Sequence, residues 1–394
     1  MSNKIVLIIY PFKFRSFDFF RFEIKELEEH YNAKILIHEL VDVAFKNFRK
    51  VYQNSFFNFR IKSYKSFLDW RRDFKNIVKR NPDILIIKDI PSVNFFTFLI
   101  NYEIKKSGVK ILESASTKHP VYNSKKNFND ILKIFQLDIL TNFLKNRIFN
   151  FLHNIFYLHP THCLKCGLKD FNTLFKKNNV KIIEANSLDY SNYVVNIKKI
   201  NRFNNYKNKF GIYLDSPTPL FDGDNIIAKR DKEHFFTIEK WFPSLNNFFD
   251  NLEDLLKLKI IIAPHPKVNY KNYIDIYKKR KFLKTKLYAI TKFTKLIIGR
   301  NSSAFSYCAI NRKPALVITS NELMSKKKYF EEQLYFAKEL GTKLINIDNK
   351  FNKNEIYKAI KVNINALTKY KFNYLTSLKI DKPNYKIIGD NFLK

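Results

Sequence analysis

Glycine is scarce in this chain, with seven residues among 394. Neither half carries Gly-x-Gly-x-x-Gly after its first strand-like run, and Gly-x-x-x-x-Gly-Lys-Ser/Thr does not occur. Because those patterns hold dinucleotides and nucleoside triphosphates on backbone N–H groups, a nicotinamide-dinucleotide fold and a P-loop NTPase are both disfavoured. Any phosphate must instead be held by side chains and helix N-termini.

Cysteine is rarer still, and Cys163, Cys166 and Cys308 are the whole set. Three thiols cannot form a disulfide framework. Cys163 and Cys166 make a Cys-x-x-Cys pair, but a structural zinc normally needs a second ligand pair at similar spacing. We therefore predict no metal site, and we assign the pair to a strand that ends at Gly167.

No apolar run is long enough to cross a membrane. The most apolar stretch, Ile148 to Leu158, contains Asn150, His153 and Asn154, and it is shorter than the roughly 20 residues that a span requires. The opening run Ile5–Tyr10 has the length of a strand and is too short for a signal-peptide core. The sequence predicts a cytoplasmic protein, soluble or peripheral on the inner face of the membrane.

Acidic residues are in the minority: 71 Lys and Arg against 36 Asp and Glu leave a net charge of +35. The lysines are spread along the chain, and the run Lys326–Lys328 lies beside Glu331 and Glu332. No basic arm stands apart, so the pattern favours a solvated basic surface, with no nucleic acid as partner. Attraction to anionic lipid or to phosphate-bearing substrates would follow from the same charge.

Short apolar runs alternate with longer helical patterns from end to end. This alternation predicts βαβ units, parallel sheets buried on both faces and an α/β fold. The predicted strands are Ile5–Tyr10, Lys34–Leu40, Asp83–Lys88, Val109–Glu113, Thr161–Gly167, Val180–Ala185, Lys209–Leu214, Lys259–Ala263, Leu296–Gly299, Ala315–Thr319 and Lys343–Ile347. The predicted helices are Phe19–His30, Ser66–Arg80, Asn94–Ser107, a long stretch from about Asn127 to Tyr157, Glu239–Leu256, Lys284–Phe293, Ser302–Asn311, Ser325–Leu340 and Lys353–Ile360, before a mostly helical tail.

The stretch Asn196–Asn208 is polar and lacks a clear period, and the alternation restarts after it. We predict a linker there, between two Rossmann-like domains at residues 1–200 and 205–394 whose parallel sheets face a central cleft. Ligands of open α/β sheets bind beyond the carboxyl ends of the strands. Three loops that leave strands in the second half are therefore the candidate site.

The first loop follows an apolar strand into Pro264-His265-Pro266 and then Lys267. The prolines fix φ and remove backbone donors, so the imidazole is presented by a stiff turn at the edge of the cleft. A His in this position can give a hydrogen bond or a proton to a phosphate oxygen, with Lys267 and Tyr270 as further donors. A structural His in a proline-rich turn is the alternative.

The second loop passes through Gly299 into Asn301-Ser302-Ser303, which opens a predicted helix. Unpaired N–H groups and the positive end of a helix dipole form an anion site, to which two hydroxyls add donors. Simple N-capping is the alternative. Because we expect this strand to neighbour the one that leads to His265, phosphate binding is favoured.

The third loop follows Asp215, which ends the first strand of the second half, and carries Asp222 and Asp224. A carboxylate here can deprotonate an acceptor hydroxyl or hold a metal. Asx-turn and capping chemistry explains Asp222 and Asp224 equally well. We expect Asp215 to be catalytic, with Asp222 as the alternative base or an acceptor-binding residue.

A strand that runs into His265-Pro266, followed by one that runs into Ser302-Ser303 before a helix, resembles bacterial glycosyltransferases of the GT-B architecture. The likeness is strongest to those that use CMP-activated sugars: the sialyltransferases and the Kdo transferases of lipopolysaccharide and capsule synthesis. It covers roughly residues 209 to 350. The sialyltransferase motif of two acids and a Gly is matched only in part, by Asp222-Gly223.

This resemblance implies that the second domain binds a nucleotide sugar, with a CMP-activated ulosonic acid favoured, and that the first binds a glycan or lipid-linked acceptor. It implies a general base, which is Asp215 or Asp222. Leaving-group charge would be met by protein groups, without a divalent ion or other cofactor. The residues expected to contact the donor are His265, Pro266, Lys267, Asn301, Ser302 and Ser303.

Other functions fit the same pattern. A nucleotide-sugar 2-epimerase on this fold would need no separate acceptor, and a CDP-polyol phosphotransferase would make teichoic-type polymers. A non-catalytic polyanion-binding protein would exploit the net charge of +35 and bind nucleic acid with a steep salt dependence.

Overall fold

A computed structural model of the chain describes residues 4–45, 59–115, 120, 147–169, 179–197, 210–221, 236–273, 275–283, 286–350 and 352–394. These residues form two parallel β-sheets with helices packed against them. The predicted α/β class with parallel sheets is confirmed.

The first sheet has seven strands in the order β3-β2-β1-β4-β5-β6-β7. The strand order reverses between β1 and β4: β2 and β3 lie on one side of this pair, and β5 to β7 lie on the other. The loops that leave β1 and β4 therefore open onto a crevice. The strands are β1 Ile5–Tyr10, β2 Lys34–Glu39, β3 Ile61–Ser63, β4 Leu85–Lys88, β5 Lys110–Ala115, β6 His162–Cys166 and β7 Lys181–Ala185. The helices described in this part are α1 Ser16–Arg21, α2 Ile24–Tyr31, α3 Val41–Ala44, α4 Phe67–Arg80, α5 Phe95–Lys106, α6 at 147–155 and α7 Leu188–Asn196.

The second sheet has five strands in the order β12-β11-β10-β8-β9. Its strands are β8 Phe210–Leu214, β9 Lys259–Ala263, β10 Leu296–Gly299, β11 Ala315–Thr319 and β12 Leu344–Asn346. The helices described in this part are α8 Ile238–Leu256, α9 Leu287–Ile290, α10 Ser306–Asn311, α11 Asn321–Met324, α12 Lys327–Glu339, α13 Lys353–Ala359, α14 Ile364–Tyr370 and α15 Asn384–Phe392, with 3₁₀ turns at Tyr270–Tyr273 and Ser303–Phe305 and a π-helical turn at Lys371–Leu375.

The central strands of the second sheet are apolar throughout because both of their faces are covered. Every residue of β8 is buried. Ile212 packs into one core with Phe305, and the next residue, Tyr213, packs into the other core with Leu245 and Phe249 of α8. Successive residues of a strand point to opposite faces, so a strand covered on both sides has no position for a polar side chain until it ends.

The predicted strands are all present, with ends that differ by at most two residues. The short edge strand β3 was not predicted because its three residues, one partly exposed and two exposed, form no apolar run. The predicted helix Phe19–His30 is broken at Glu23, which has a left-handed φ of 50°. The predicted helix Lys284–Phe293 is wrong, since within its described residues only Leu287–Ile290 is helical. Of the stretch predicted from Asn127 to Tyr157, residues 127–146 lie outside the described part, as do residues 198–208 of the predicted linker.

The last helix returns to the first sheet. Tyr385, Ile388 and Phe392 of α15 share a core with Val6 and Ile8 of β1. The division into domains 1–200 and 205–394 stays a prediction, and α15 packs against the sheet of the other predicted domain.

The packing of α15 against α2 predicts that Gly389 cannot be enlarged. A Cβ atom at Gly389 would overlap the ring of Tyr31, whose hydroxyl donates to Asp390 at 2.8 Å. We expect Gly389→Ala to lower the free energy of unfolding by about 1–3 kcal/mol through overpacking. Urea denaturation measures this, and the loss should shrink when Tyr31→Ala removes the ring.

Gly211→Ala is the matched control. A Cβ atom there would lie 3.6 Å from Leu258 and Leu296, which is an ordinary contact. Stability should be unchanged or slightly higher, because Gly in a strand is less favourable than Ala. Equal losses at Gly211 and Gly389 would contradict this account of the packing.

Candidate functional site

The three candidate loops leave adjacent strands at the same edge of the second sheet. Leu214 is in register with Ala263 of β9 on one side and with Gly299 of β10 on the other. The expectation that β9 and β10 are neighbours is wrong, because β8, the first strand of this half, is inserted between them. The His265 and Ser302 loops are therefore two strand spacings apart, about 10 Å, with Asp215 between them.

The His265 side chain is held as one neutral tautomer. Its Nδ1 accepts a hydrogen bond from the Lys267 backbone N–H at 3.3 Å. Since an amide N–H can only donate, Nδ1 carries no proton and Nε2 does. Burial, together with the positive charges of Lys267, Arg15 and Arg300, lowers the pKa of His265 to about 3. At neutral pH the ring is therefore an uncharged Nε2–H donor.

Asp215 is buried, with 6% of its surface exposed. Its Oδ1 accepts from the Ser216 N–H at 2.8 Å, and its Oδ2 accepts from the Tyr270 hydroxyl. The Tyr270 oxygen in turn accepts from the His265 N–H at 2.8 Å. Burial raises the pKa of Asp215 to about 6, although the hydrogen bonds from Tyr270 and Ser216 oppose that shift.

Of the two aspartates that the sequence predicts as bases, Asp215 and Asp222, the structure describes only Asp215. Both carboxylate oxygens of Asp215 are engaged within the protein. This geometry supports a positioning role better than proton abstraction from an acceptor, and the catalytic role of Asp215 stays a prediction. Asp222 and Asp224 lie outside the described residues.

Arg300 is a site residue that the sequence analysis missed. Only 8% of it is exposed. Its guanidinium donates to the Ser216 hydroxyl from Nε at 3.1 Å and from Nη2, and Nη2 also donates to the Thr218 carbonyl at 3.2 Å. Cζ lies 4.3 Å from the centre of the Phe236 ring. Its position in the sequence could have identified it, because a charged residue that directly follows a wholly buried strand is a candidate site residue.

The Ser302 loop begins with a cap. The Ser302 Oγ accepts from the Ala304 N–H at 3.3 Å, Asn301 is half-buried and Ser303 is exposed. The predicted continuous helix is wrong here: a 3₁₀ turn, Ser303–Phe305, precedes the six-residue helix α10. A dipole from so short an element is weak. The hydroxyls, and not the helix, are the main donors of this loop.

Gly299 lets the Ser302 loop lie close to β8. A Cβ atom at Gly299 would stand 3.1 Å from the Phe305 ring and 3.2 Å from Leu214. These contacts are tighter than side chains normally make, so a larger residue would push the loop away from Asp215. The glycine therefore has a steric reason to end this strand.

The loop after β1 faces the same site from the first sheet. Arg15 donates from Nη1 to the Pro266 carbonyl at 3.4 Å, while its Nε lies 3.4 Å from the buried Asp18. The Ser306 hydroxyl donates to Asp189 of α7 at 3.4 Å. The Lys267 Nζ is 5.8 Å from the centre of the Phe221 ring. Positive charge thus borders His265 from both sides of the cleft.

Within the described residues, no three His, Cys, Asp or Glu side chains are grouped closely enough to hold a metal ion. Cys163 and Cys166 are buried in β6, as the strand prediction requires. None of the described helices is both long and apolar enough to cross a membrane.

No protein-family model and no curated protein matches the chain, but solved structures do. The wall teichoic acid polymerase TagF, soaked with CDPG, matches with a TM-score of 0.50 and 12% identity over 99% of this chain and 88% of its own. A UDP-GlcNAc 2-epimerase from Methanocaldococcus jannaschii has a TM-score of 0.49 and 12% identity over 98% and 99%. MurG from Acinetobacter baumannii has a TM-score of 0.44 and 10% identity over 94% of each chain.

At this level of identity the likeness to TagF shows the fold alone. The chain is a GT-B-like α/β protein with two Rossmann-like domains, and the similarity extends over both sheets.

The two hydrogen bonds from the Arg300 guanidinium to Ser216 predict that Lys cannot replace this residue. Lys keeps the charge but cannot bond Ser216 from two nitrogens or stack on Phe236 in the same way. We expect Arg300→Lys to lower the free energy of unfolding by about 2–4 kcal/mol, since it disrupts buried hydrogen bonds to a charged group. Urea denaturation checks this; the exposed Arg312→Lys should change stability by less than about 0.5 kcal/mol.

The raised pKa of Asp215 predicts a pH-dependent effect of Asp215→Asn. Folding favours the protonated carboxyl, so its contribution to stability is present below the unfolded pKa of about 4 and is lost as pH rises through about 6. Asn is neutral throughout, so the variant should gain about 1–3 kcal/mol relative to the parent between pH 4 and pH 8. A pH-independent difference would contradict the shift, and the exposed Asp275→Asn should show none of this gain.

Proposed function

We propose that this chain is a glycosyltransferase that uses a nucleotide-activated sugar and holds the donor phosphate at the carboxyl edge of the second sheet. One observation carries the proposal: His265 is a neutral Nε2–H donor on a loop anchored to the end of β8. The Ser302–Ser303 hydroxyls flank the same strand end on the opposite side. The gap of about 10 Å between the loops suits a phosphate or a diphosphate.

The chemistry that this site supplies is stabilisation of the leaving group. An acceptor oxygen attacks the anomeric carbon of the donor sugar and displaces the nucleotide. The bond from that carbon to the phosphate oxygen breaks, and its electron pair leaves with the phosphate. A fixed Nε2–H bond to that oxygen, in the positive field of Arg15, Lys267 and Arg300, meets the charge as it develops. These fixed charges do the work for which a divalent ion is otherwise used.

A neutral imidazole suits this role better than a cationic one over a wide pH range. With its pKa lowered to about 3, the His265 ring does not change its charge between pH 5 and pH 9. Titration of the ring itself should therefore add no pH dependence to leaving-group stabilisation over that range. Any pH dependence of transfer would come from other groups, among them the base that takes the acceptor proton.

The donor and acceptor classes rest on the resemblance of His265-Pro266 and Ser302-Ser303 to the CMP-sugar enzymes. We propose a CMP-activated ulosonic acid, such as sialic acid or Kdo, as donor, and a glycan or lipid-linked glycan of lipopolysaccharide or capsule as acceptor. The first domain would hold that acceptor. A net charge of +35 supports work on acidic glycans at the inner, cytoplasmic face of the membrane.

Thermal-shift measurements with CMP, CDP, UDP and GDP test the donor site. A nucleotide at about 100 times its dissociation constant should stabilise the protein by about 2.7 kcal/mol, and we expect CMP to give the largest shift. His265→Gln should weaken that nucleotide about 10- to 100-fold, because a hydrogen bond to a charged phosphate is worth roughly 1.5–3 kcal/mol. Ser303→Ala should weaken it less.

The exposed His30→Gln is the matched control and should bind as the parent does. The proposal would be contradicted if no nucleotide shifted the melting temperature, or if the His265 variant bound the nucleotide as tightly as the parent does. A parent enzyme that converts the donor sugar without an acceptor would indicate the epimerase instead.

A further inference from the structure

The His265 turn has very few backbone hydrogen-bond donors. Pro264 and Pro266 have none, so His265 supplies the one N–H group between Ala263 and Lys267. That N–H donates to the Tyr270 hydroxyl at 2.8 Å, and the next one, of Lys267, donates to the His265 ring. Two N–H groups thus fix the peptide and the imidazole of the same residue.

Tyr270 is the link between this turn and the sheet. Its oxygen accepts from His265, and its O–H then needs an acceptor, which the Asp215 carboxylate provides. The Tyr270 ring lies in the aromatic packing around β8 and β9, with its centre 5.0 Å from that of Phe282. Tyr277 lies beside the same carboxylate and contacts Phe282 at 5.8 Å. The hydroxyl therefore has a fixed place.

The loop that carries Asp215 is also hydrogen-bonded to the loop that follows β10. Ser216, which follows Asp215 directly, accepts from Arg300 at the end of β10. The groups that face Asp215 are Tyr213, Tyr270 and Tyr277, with Arg300 as the nearby cation. The cations that lower the pKa of His265 are Lys267, Arg15 and Arg300. A single buried carboxylate therefore sits where both phosphate-binding loops are anchored.

We propose that Asp215 and Tyr270 are positioning residues: they fix the His265 peptide, and with it the turn in which the Lys267 N–H holds the imidazole as an Nε2–H donor toward the phosphate, and neither reacts with the sugar. This inference rests on the proposed function for the identity of the phosphate. The orientation of His265 is a property of the protein alone. The two can therefore be tested separately.

Tyr270→Phe is the direct test, because it keeps the ring packing and removes the hydroxyl. Long-range ¹H–¹⁵N spectra of the histidine rings report tautomer and protonation, and the His265→Gln spectrum identifies the His265 signal among the eight histidines. The parent should show a single neutral Nε2–H form at pH 7 to pH 8, where the Asp215 carboxyl is ionised. In Tyr270→Phe we expect a mixture of tautomers, because the His265 peptide is no longer fixed and the Lys267 N–H is no longer held against Nδ1.

Nucleotide binding gives the second measurement. Tyr270→Phe should weaken the preferred nucleotide about tenfold, an effect that acts through His265, so it should disappear in a His265→Gln background. Tyr273→Phe, a change of the same kind in the same 3₁₀ turn, should leave both the spectrum and the affinity unchanged.

Asp215→Asn is the second variant. Its amide can supply an acceptor to Ser216 or to Tyr270, but not to both, so the tautomer mixture should appear there too. A parent-like His265 spectrum in both variants overturns the inference, whatever the nucleotide data show. An altered spectrum in a protein that binds no nucleotide supports the positioning role and rejects the proposed function.

Discussion

The candidate site depends on one constraint: β8 lies between β9 and β10, and two consecutive residues at its end bind the loops on either side. Asp215 holds the His265 turn through Tyr270. Ser216 holds Arg300, which leads into the Ser302 loop. Because parallel strands in register end at one level, residues far apart in the chain become neighbours. A phosphate held at this edge, as we propose, would need no glycine-rich loop.

Charge and burial act together at this edge. His265 would be an ordinary titrating histidine on a surface, but burial and three nearby cations keep it neutral. The same burial raises the pKa of Asp215. A neutral donor surrounded by fixed positive charge suits the binding of an anion, since it adds a directed hydrogen bond without another charge to desolvate. Stability and the proposed function therefore depend on the same few groups.

The strands could be predicted because a strand covered on both faces leaves an apolar run in the sequence, as Leu296–Gly299 and Ala315–Thr319 do. Their order could not, because it depends on which strands pair in space, and the insertion of β8 between β9 and β10 has no local signal. Arg300, and the role of Tyr270 as a donor to Asp215, show the same limit. Their partners, Ser216 and Asp215, lie far away in the chain.

A structure of the protein with its preferred nucleotide tests the central claim most directly. The account predicts one phosphate group between the two loops, with an oxygen at hydrogen-bond distance, about 2.7–3.2 Å, from the Nε2 of His265 and another at that distance from the hydroxyl of Ser302 or Ser303. A nucleotide bound elsewhere, or a phosphate that meets neither loop while His265 turns away, would contradict it.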